Sequence, residues 1–322
     1  MYDIVTCGSA TIDAFAHTDN GLIDIKGLGG EQKLIVYPSG SKLLVKQLEF
    51  QLGGGGTNCA YGFKKMGLHT GYIGCVGSRG NATAVMHFLQ QAGIDFLGHK
   101  TNHQTGYSII LDSIEQDRTI LTHKGANDYL DFTKIKKKAF QTKWLYFSSM
   151  LGKSFITQKK IAQLAFQKGT HIAFNPSEYQ VKQGLKPLTS MLKYITVLIM
   201  NKEEFTLLCE QQYDVLHKIG VSVVVITDGG KAVEASDGVY RYVMQPPKVK
   251  VVEVTGAGDA FASGFVSAYM KKKDISYALQ VGAINSAAVI SHFGAKSCLV
   301  KKSQISDLLK KYKLVIKKEK IL

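Results

Sequence analysis

Short apolar runs that alternate with helix-period segments constrain this chain more than any other feature. "YDIVTCG", "TGYIGCVG", "WLYFSS", "HIAFNP", "VLIMN" and "VSVVVITDGG" read as buried strands. Between most of them lie "NCAYGFKKMG", "ATAVMHFLQQAG" and "SFITQKKIAQLAFQKG", where the apolar spacing is that of a helix burying one face. Strand and helix in alternation predict an α/β fold, a doubly wound and mostly parallel sheet flanked by helices. Ligands in such sheets bind at the carboxyl ends of the strands. Two regions break the rhythm. Residues 14–52 and 101–124 alternate as "KLLVKQLEFQL" and "TGYSIILDSIEQDRTILTH", with "DSIEQD" placed to turn a hairpin. They predict a small antiparallel β lid at the edge of the main sheet. No internal repeat or low-complexity linker interrupts the 322 residues, so 1–322 reads as one domain carrying that lid.

Composition narrows the classes. Apolar residues make up 45% of the chain without a continuous run of about 18 of them, so no membrane partner is expected. The start "MYDIVTCGSATID" lacks the basic flank, apolar block and cleavage site of a secretory signal. Five cysteines, an odd number without C-x-x-C spacing, argue against a disulfide framework or a zinc site and fit a cytoplasmic protein. The net charge of +15 raises nucleic acid as a partner. The lysines, however, are scattered in short runs at 136–138, 271–273 and 317–318, which reads as a solvated surface rather than a nucleic-acid face. A basic field still draws in anionic nucleotides.

"EVTGAGDAFASGF", residues 253–265, carries the first chemistry. Gly256, Ala257 and Gly258 let a ligand approach the backbone. The repeat from Ala260 through Phe261 and Phe265 starts a helix there, whose N-terminal N–H groups and dipole suit an anion such as phosphate. Asp259 then reads in two ways. It is either an N-cap or a base that takes a proton from an attacking hydroxyl. The second cluster, "LGGGGTNCAYGF" at 52–63, also precedes a helix and carries Asn58, which both donates and accepts; a plain tight turn with an Asn cap reads the same residues equally well. Neither cluster matches a P-loop or a dinucleotide fingerprint in its strand-to-helix setting.

Together these features resemble the ribokinase-like sugar and nucleoside kinases, the PfkB carbohydrate kinase family, over nearly the whole chain. "TGAGDAFASGF" is similar to the family's second signature, and "GGGGTNCAYGFKKMG" to the first, with the core at Gly53, Gly54, Gly56 and Asn58. "MNKEEF" carries the family's N-x-x-E at Asn201 and Glu204, "GSATIDAF" supplies Asp13, and "NSAAVISHFGA" resembles the adenine-pocket segment with Asn285. The resemblance implies a kinase that moves the γ-phosphate of ATP to a hydroxyl of a sugar or nucleoside. Asp259 would be the base, and Gly256, Ala257 and Gly258 the anion hole. A helix N-terminus is expected to keep Asp259 ionised at pH 7. Asp13, Gly53, Gly54 and Asn58 would hold the acceptor, while Asn201, Glu204, Thr227, Gly229 and Asn285 would serve the nucleotide. Glu204 would orient Mg²⁺ through water; without the resemblance it reads as a solvated acid in a helix first turn.

The sequence departs from the family at Glu253 and Val254, where many members have Asp and Thr, and this leaves monovalent-cation activation open. Substrate identity is open as well, with an adenosine-type nucleoside kinase as the alternative to a sugar kinase. Tyr107 and Phe15 read as lid contacts or as core. In the family two lids can clasp as a homodimer. Alternation then assigns Leu48 and Phe50 to cover the substrate and Leu43 and Val45 to meet the second copy. The rival from another class is a non-catalytic binder on the same fold.

Overall fold

Neighbouring residues on a strand point to opposite faces, and here both faces are apolar, so the sheet must be covered twice. Ile4, Tyr146, Ala173, Ile199 and Val225 enter one core together with Phe261, Phe265 and Val266 of the helix Ala257–Lys272. Their neighbours Val5, Leu145, Ile172, Leu198 and Val224 enter the other, against Phe155, Ile161 and Ala165 of the helix Gly152–Gln167. Each Val, Leu, Ile or Phe among them contributes about 1.5–3 kcal/mol on burial. The computed structural model describes residues 1–17, 22–27, 30–35, 39–40, 42–112 and 118–321.

The main sheet has ten strands in the order Ile316–Lys320, Tyr240–Met244, Val233–Ser236, Val223–Thr227, Val197–Asn201, His171–Asn175, Thr142–Ser148, Tyr2–Cys7, Thr70–Ile73 and Asp95–Phe96. Pairing is parallel from Val223–Thr227 through to Asp95–Phe96. The other edge adds three antiparallel strands that apolar runs did not signal. Ile316–Lys320 reads "IKKEK", and its lysines blunt the sheet edge. "TGYIGCVG" is two strands rather than one, Thr70–Ile73 and Cys75–Gly77; the second leaves the main sheet to pair with His99–Thr101.

Four strands build the lid: Thr11–His17, Gln47–Gly53, Gly106–Asp112 and Arg118–His123. It is mixed rather than antiparallel, because Gly106–Asp112 runs parallel to Thr11–His17. Both strands rise from the carboxyl side of parallel pairs beneath them, so they leave in the same direction. A hairpin of Leu22–Gly27 and Gly30–Ile35 lies between the first two lid strands in sequence. The expected turn in "DSIEQD" falls on residues 113–117, outside the described residues, although its flanking strands do pair.

Register corrects the assignment of lid faces. Asp13 lies opposite Gln51 and Ser108, so these share one face; Ala14 lies opposite Phe50 and Ile109, and Ile109 opposite Leu121, on the other. Leu48 and Phe50 therefore do not cover the Asp13 side. They stand on the outer face, 55% and 61% exposed, and Leu43 and Val45 precede the strand altogether. Phe15 resolves as core, packed edge-on against Phe293 with ring centroids 5.1 Å apart, while Tyr107 packs with the cluster around Ile12 and Val85.

Candidate active site

The helix Ala257–Lys272 begins at Gly256, whose φ of 81° is left-handed. A side chain there would also place its Cβ 2.4 Å from that of Ala295, so the start of the helix requires glycine on both counts. Of the three backbone groups expected to form an anion hole, one is committed: the Ala257 N–H donates to Val254 O at 3.1 Å in the entering turn. Glu253 folds onto the same turn, its Oε1 accepting from the N–H and hydroxyl of Thr255, both at 2.8 Å.

A second helix, Gly55–Lys65, starts beside it, with Gly54 as N-cap and the Thr57 hydroxyl donating to Gly53 O at 2.6 Å. Asn58 Nδ2 donates to Asp259 Oδ2 at 2.8 Å, and Cys59 Sγ donates to Asp259 Oδ1 at 3.4 Å. These contacts do not fit the N-cap reading of Asp259. The cap of its own helix is Gly256, and the partners of its carboxylate lie on another helix. Burial pushes the carboxyl above the usual carboxylate range, with the Asp13 charge adding, while Asn58, Cys59 and the Lys296 ammonium pull it back down.

Asp13 reaches the same cleft from the lid. A Cβ on Gly53 would sit 1.8 Å from Asp13 Oδ2, so the bare backbone of Gly53 is what makes room for this carboxylate. Asp13 Oδ1 is buried and accepts from no group among the described residues. An acceptor of this kind without a donor is costly unless a ligand supplies one. Burial raises the Asp13 carboxyl, opposed by the hydroxyls of Thr11 and Ser108 and by Lys296. Lys296 Nζ donates to Leu52 O and Asn58 Oδ1.

The residues expected to serve a nucleotide sit at the carboxyl ends of the strands. Asn201 and Thr227 are register partners on adjacent parallel strands, and Gly229 follows in the next turn. Asn201 caps the helix Lys202–Cys209 in a reciprocal box: Glu204 N–H donates to Asn201 Oδ1 at 2.7 Å, and Asn201 N–H donates to Glu204 Oε2 at 2.9 Å. Glu204 is thus buried rather than solvated. Burial pushes its carboxyl up to about 7, with Glu178 and Glu203 adding and the Asn201 N–H opposing. Asn285 departs from its expected place. It is fully buried, Nδ2 donates to Ala260 O at 2.7 Å, and Oδ1 accepts from Val300 N–H at 2.9 Å. Its amide is occupied in clasping two helices and the Val300 segment, so it offers no end to a nucleotide. A cavity of about 1050 Å³ lined by Lys202, Tyr213, Asp228, Lys231 and Arg241 flanks the Asn201 edge and does not include Asp259.

Two members of the cleft were invisible to sequence reasoning. Cys59 sits one position after the asparagine of a glycine cluster and was weighed only for redox chemistry. Lys296 follows the "FGA" segment, where spacing carries no signal for a lysine. The nearest signal was position: the segment lies just past the helix Ile275–Ile290, and Ala295 in it seats against Gly256.

Comparison with known proteins adds the following. The model of the pfkB family carbohydrate kinases matches residues 4–302. An uncharacterised sugar kinase of Archaeoglobus fulgidus is 26% identical over 245 residues, covering 74% of this chain and 98% of its own. Among solved structures, the nucleoside kinase of Methanocaldococcus jannaschii, an archaeal member of the ribokinase family, superposes with a TM-score of 0.81 at 20% identity, covering 96% of this chain and 98% of its own. Arabidopsis thaliana ribokinase complexed with ribose and ATP gives a TM-score of 0.77 at 18% identity, covering 96% and 99%.

Proposed function

Because the chain belongs to the pfkB family of carbohydrate kinases, we propose that it transfers the γ-phosphate of ATP to a hydroxyl of a sugar, with Asp259 as base. The observation that carries this reading is the Asp259 carboxylate at the mouth of two helix N-termini, turned away from its own helix and facing the cleft that holds Asp13. The acceptor oxygen attacks the γ-phosphorus in line as its proton passes to Asp259, and the bond to the β-phosphate oxygen breaks to leave ADP. A carboxyl raised by burial is a better base near neutrality than an ordinary one. The free N–H groups at the start of the helix Ala257–Lys272 suit the charge that develops on the phosphoryl oxygens.

Asp13, with its unmatched Oδ1, would receive hydroxyl hydrogen bonds from the acceptor. The lid face around it carries Gln51 and Ser108, polar partners suited to a polyhydroxylated molecule. This favours a sugar over the nucleoside alternative. Among the described residues no cluster of three or more His, Cys, Asp or Glu could hold a metal directly. With one Glu204 oxygen and the Asn201 oxygen spent on the capping box, these residues fit Mg²⁺ only through water. Magnesium bound with the triphosphate would supply charge neutralisation; the second Glu204 oxygen would orient its waters, with Asn201 holding that carboxylate in place. The outer lid row of Phe50, Ile109 and Leu121 is an exposed apolar strip that a second lid would cover as a homodimer. Light scattering at micromolar concentration that finds only monomer would reject the clasp.

The direct test is incubation with ATP, Mg²⁺ and a panel of sugars and nucleosides, following ADP. Release of ADP with a sugar supports the reading, release with nucleosides alone moves it to the alternative, and binding without turnover leaves a non-catalytic binder.

A further inference from the structure

We propose that Lys296 is a positioning residue of this site, holding the Asn58 carboxamide so that its amino end faces Asp259 and keeping the carboxylates of the cleft charged. The inference rests on the reading of Asp259 as the base. A carboxamide has an accepting end and a donating end of nearly the same shape, and only its partners decide which way it points. Asn58 Oδ1 accepts from Lys296 Nζ, and that contact leaves Nδ2 to donate to Asp259 at 2.8 Å. Without the ammonium the flipped amide would set an oxygen against the carboxylate.

The lysine is itself anchored. Its Nζ also donates to Leu52 O on the lid strand Gln47–Gly53, and its stem runs so that Nζ lies 5.3 Å from the centre of the Phe88 ring. The loop that carries it is wedged in place on both sides: Ala295 lies against Gly256, and Gly294 lies against the Gln51 side chain. One ammonium therefore ties together the lid, the helix Gly55–Lys65 and, through Asn58, the helix Ala257–Lys272. Three groups act on it from three elements: Asp13 from the lid, Asp259 from the start of its helix, and the Cys59 thiol beside them. Two carboxylates in one cleft repel each other, and a cation between their elements relieves that repulsion.

Burial draws Lys296 down to about 8, while the two carboxylates and the thiol hold it up. Opening or closing of the lid would change these contacts together, since Leu52 and Asp13 both belong to it.

The test needs no acceptor. In the full-length protein the Asp259 carboxyl carbon is followed by NMR through a pH titration in wild type, K296M and K296R. K296M should raise the Asp259 midpoint, and K296R should return it towards wild type. The same midpoint in all three proteins would overturn the proposal. Should K296M not fold, the titration of Lys296 itself serves. Its midpoint should lie near 8 in wild type and fall in D259N, which removes a stabilising anion; an unchanged midpoint overturns the proposal. Turnover of D259N with D-ribose and adenosine tests the base separately. A normal Lys296 result with an active D259N sinks the base and spares the electrostatic coupling, and the opposite pair sinks the lysine alone.

Discussion

Replacing Gly53 with alanine would drive a methyl group into the space that the Asp13 carboxylate occupies. The new Cβ would lie 1.8 Å from Asp13 Oδ2, 2.5 Å from Asp13 Cγ and 2.7 Å from Thr11 Oγ1. No folded protein tolerates contacts that close, so the Asp13 side chain must rotate away or the lid strand must lift. The backbone of Gly53 is not in the left-handed region, so the alanine adds no intrinsic strain and the effect falls on its neighbours. If Asp13 holds the acceptor, each charge-assisted hydrogen bond it gives up is worth about 1.5–3 kcal/mol. Acceptor affinity should then fall roughly 10- to 100-fold while ATP affinity stays within about twofold. Calorimetry with the acceptor found in the panel reads both. The double variant G53A/D13A decides the mechanism: because both changes remove one interaction, its loss should match that of D13A alone and not the sum. Wild-type acceptor binding by G53A, or additive losses in the double variant, would refute the placement of Asp13.

Other consequences follow from the nucleotide side and the buried clasp. Glu204 has its folded carboxyl raised to about 7, so its contribution to stability is complete below the unfolded value near 4.5 and is lost as pH rises through 7. That contribution is on the order of 3 kcal/mol. E204Q keeps an oxygen for the capping box and should flatten the decline of Tm between pH 5 and 8 while lowering Mg²⁺-dependent turnover; a steeper decline or unchanged turnover would contradict the assignment. N285A leaves the Val300 N–H without its partner, which costs about 1–3 kcal/mol, while the Ala260 carbonyl keeps the Ser263 hydroxyl. Its Tm should drop by several degrees with the ATP KM unchanged, whereas a raised KM at constant Tm would restore Asn285 to the nucleotide pocket.

The parallel half of the sheet was legible because its strands are apolar on both faces, as in Val223–Thr227, whose first four residues are buried. The antiparallel edge was not, since "IKKEK" has no apolar run and joins the sheet only by pairing with Tyr240–Met244. Asp259 and Asn58 could be singled out because glycine clusters before a helix have a local meaning. Their direct contact could not, as 201 residues separate them. Lys296 lies 238 residues from Asn58 and 244 from Leu52, and nothing in its own neighbourhood distinguishes it from a surface lysine. Asn285 shows the converse: resemblance pointed to a pocket, but complete burial leaves its amide no route to a ligand. The lid faces failed for a different reason. "KLLVKQLEFQL" is apolar on both alternating sets, so only the pairing of Gln51 with Asp13 decides which set faces inward.

Proton abstraction by Asp259 is tested most directly by D259N. The amide keeps the size of the side chain and removes the base, a role that contributes roughly 10²- to 10⁴-fold to turnover. Single-turnover assays with ATP, Mg²⁺ and the acceptor should show a loss of that order, while calorimetry finds ATP bound nearly as tightly as in wild type. Turnover at the wild-type rate in a folded D259N protein would mean that the carboxylate between the two helix ends takes no part in the chemistry.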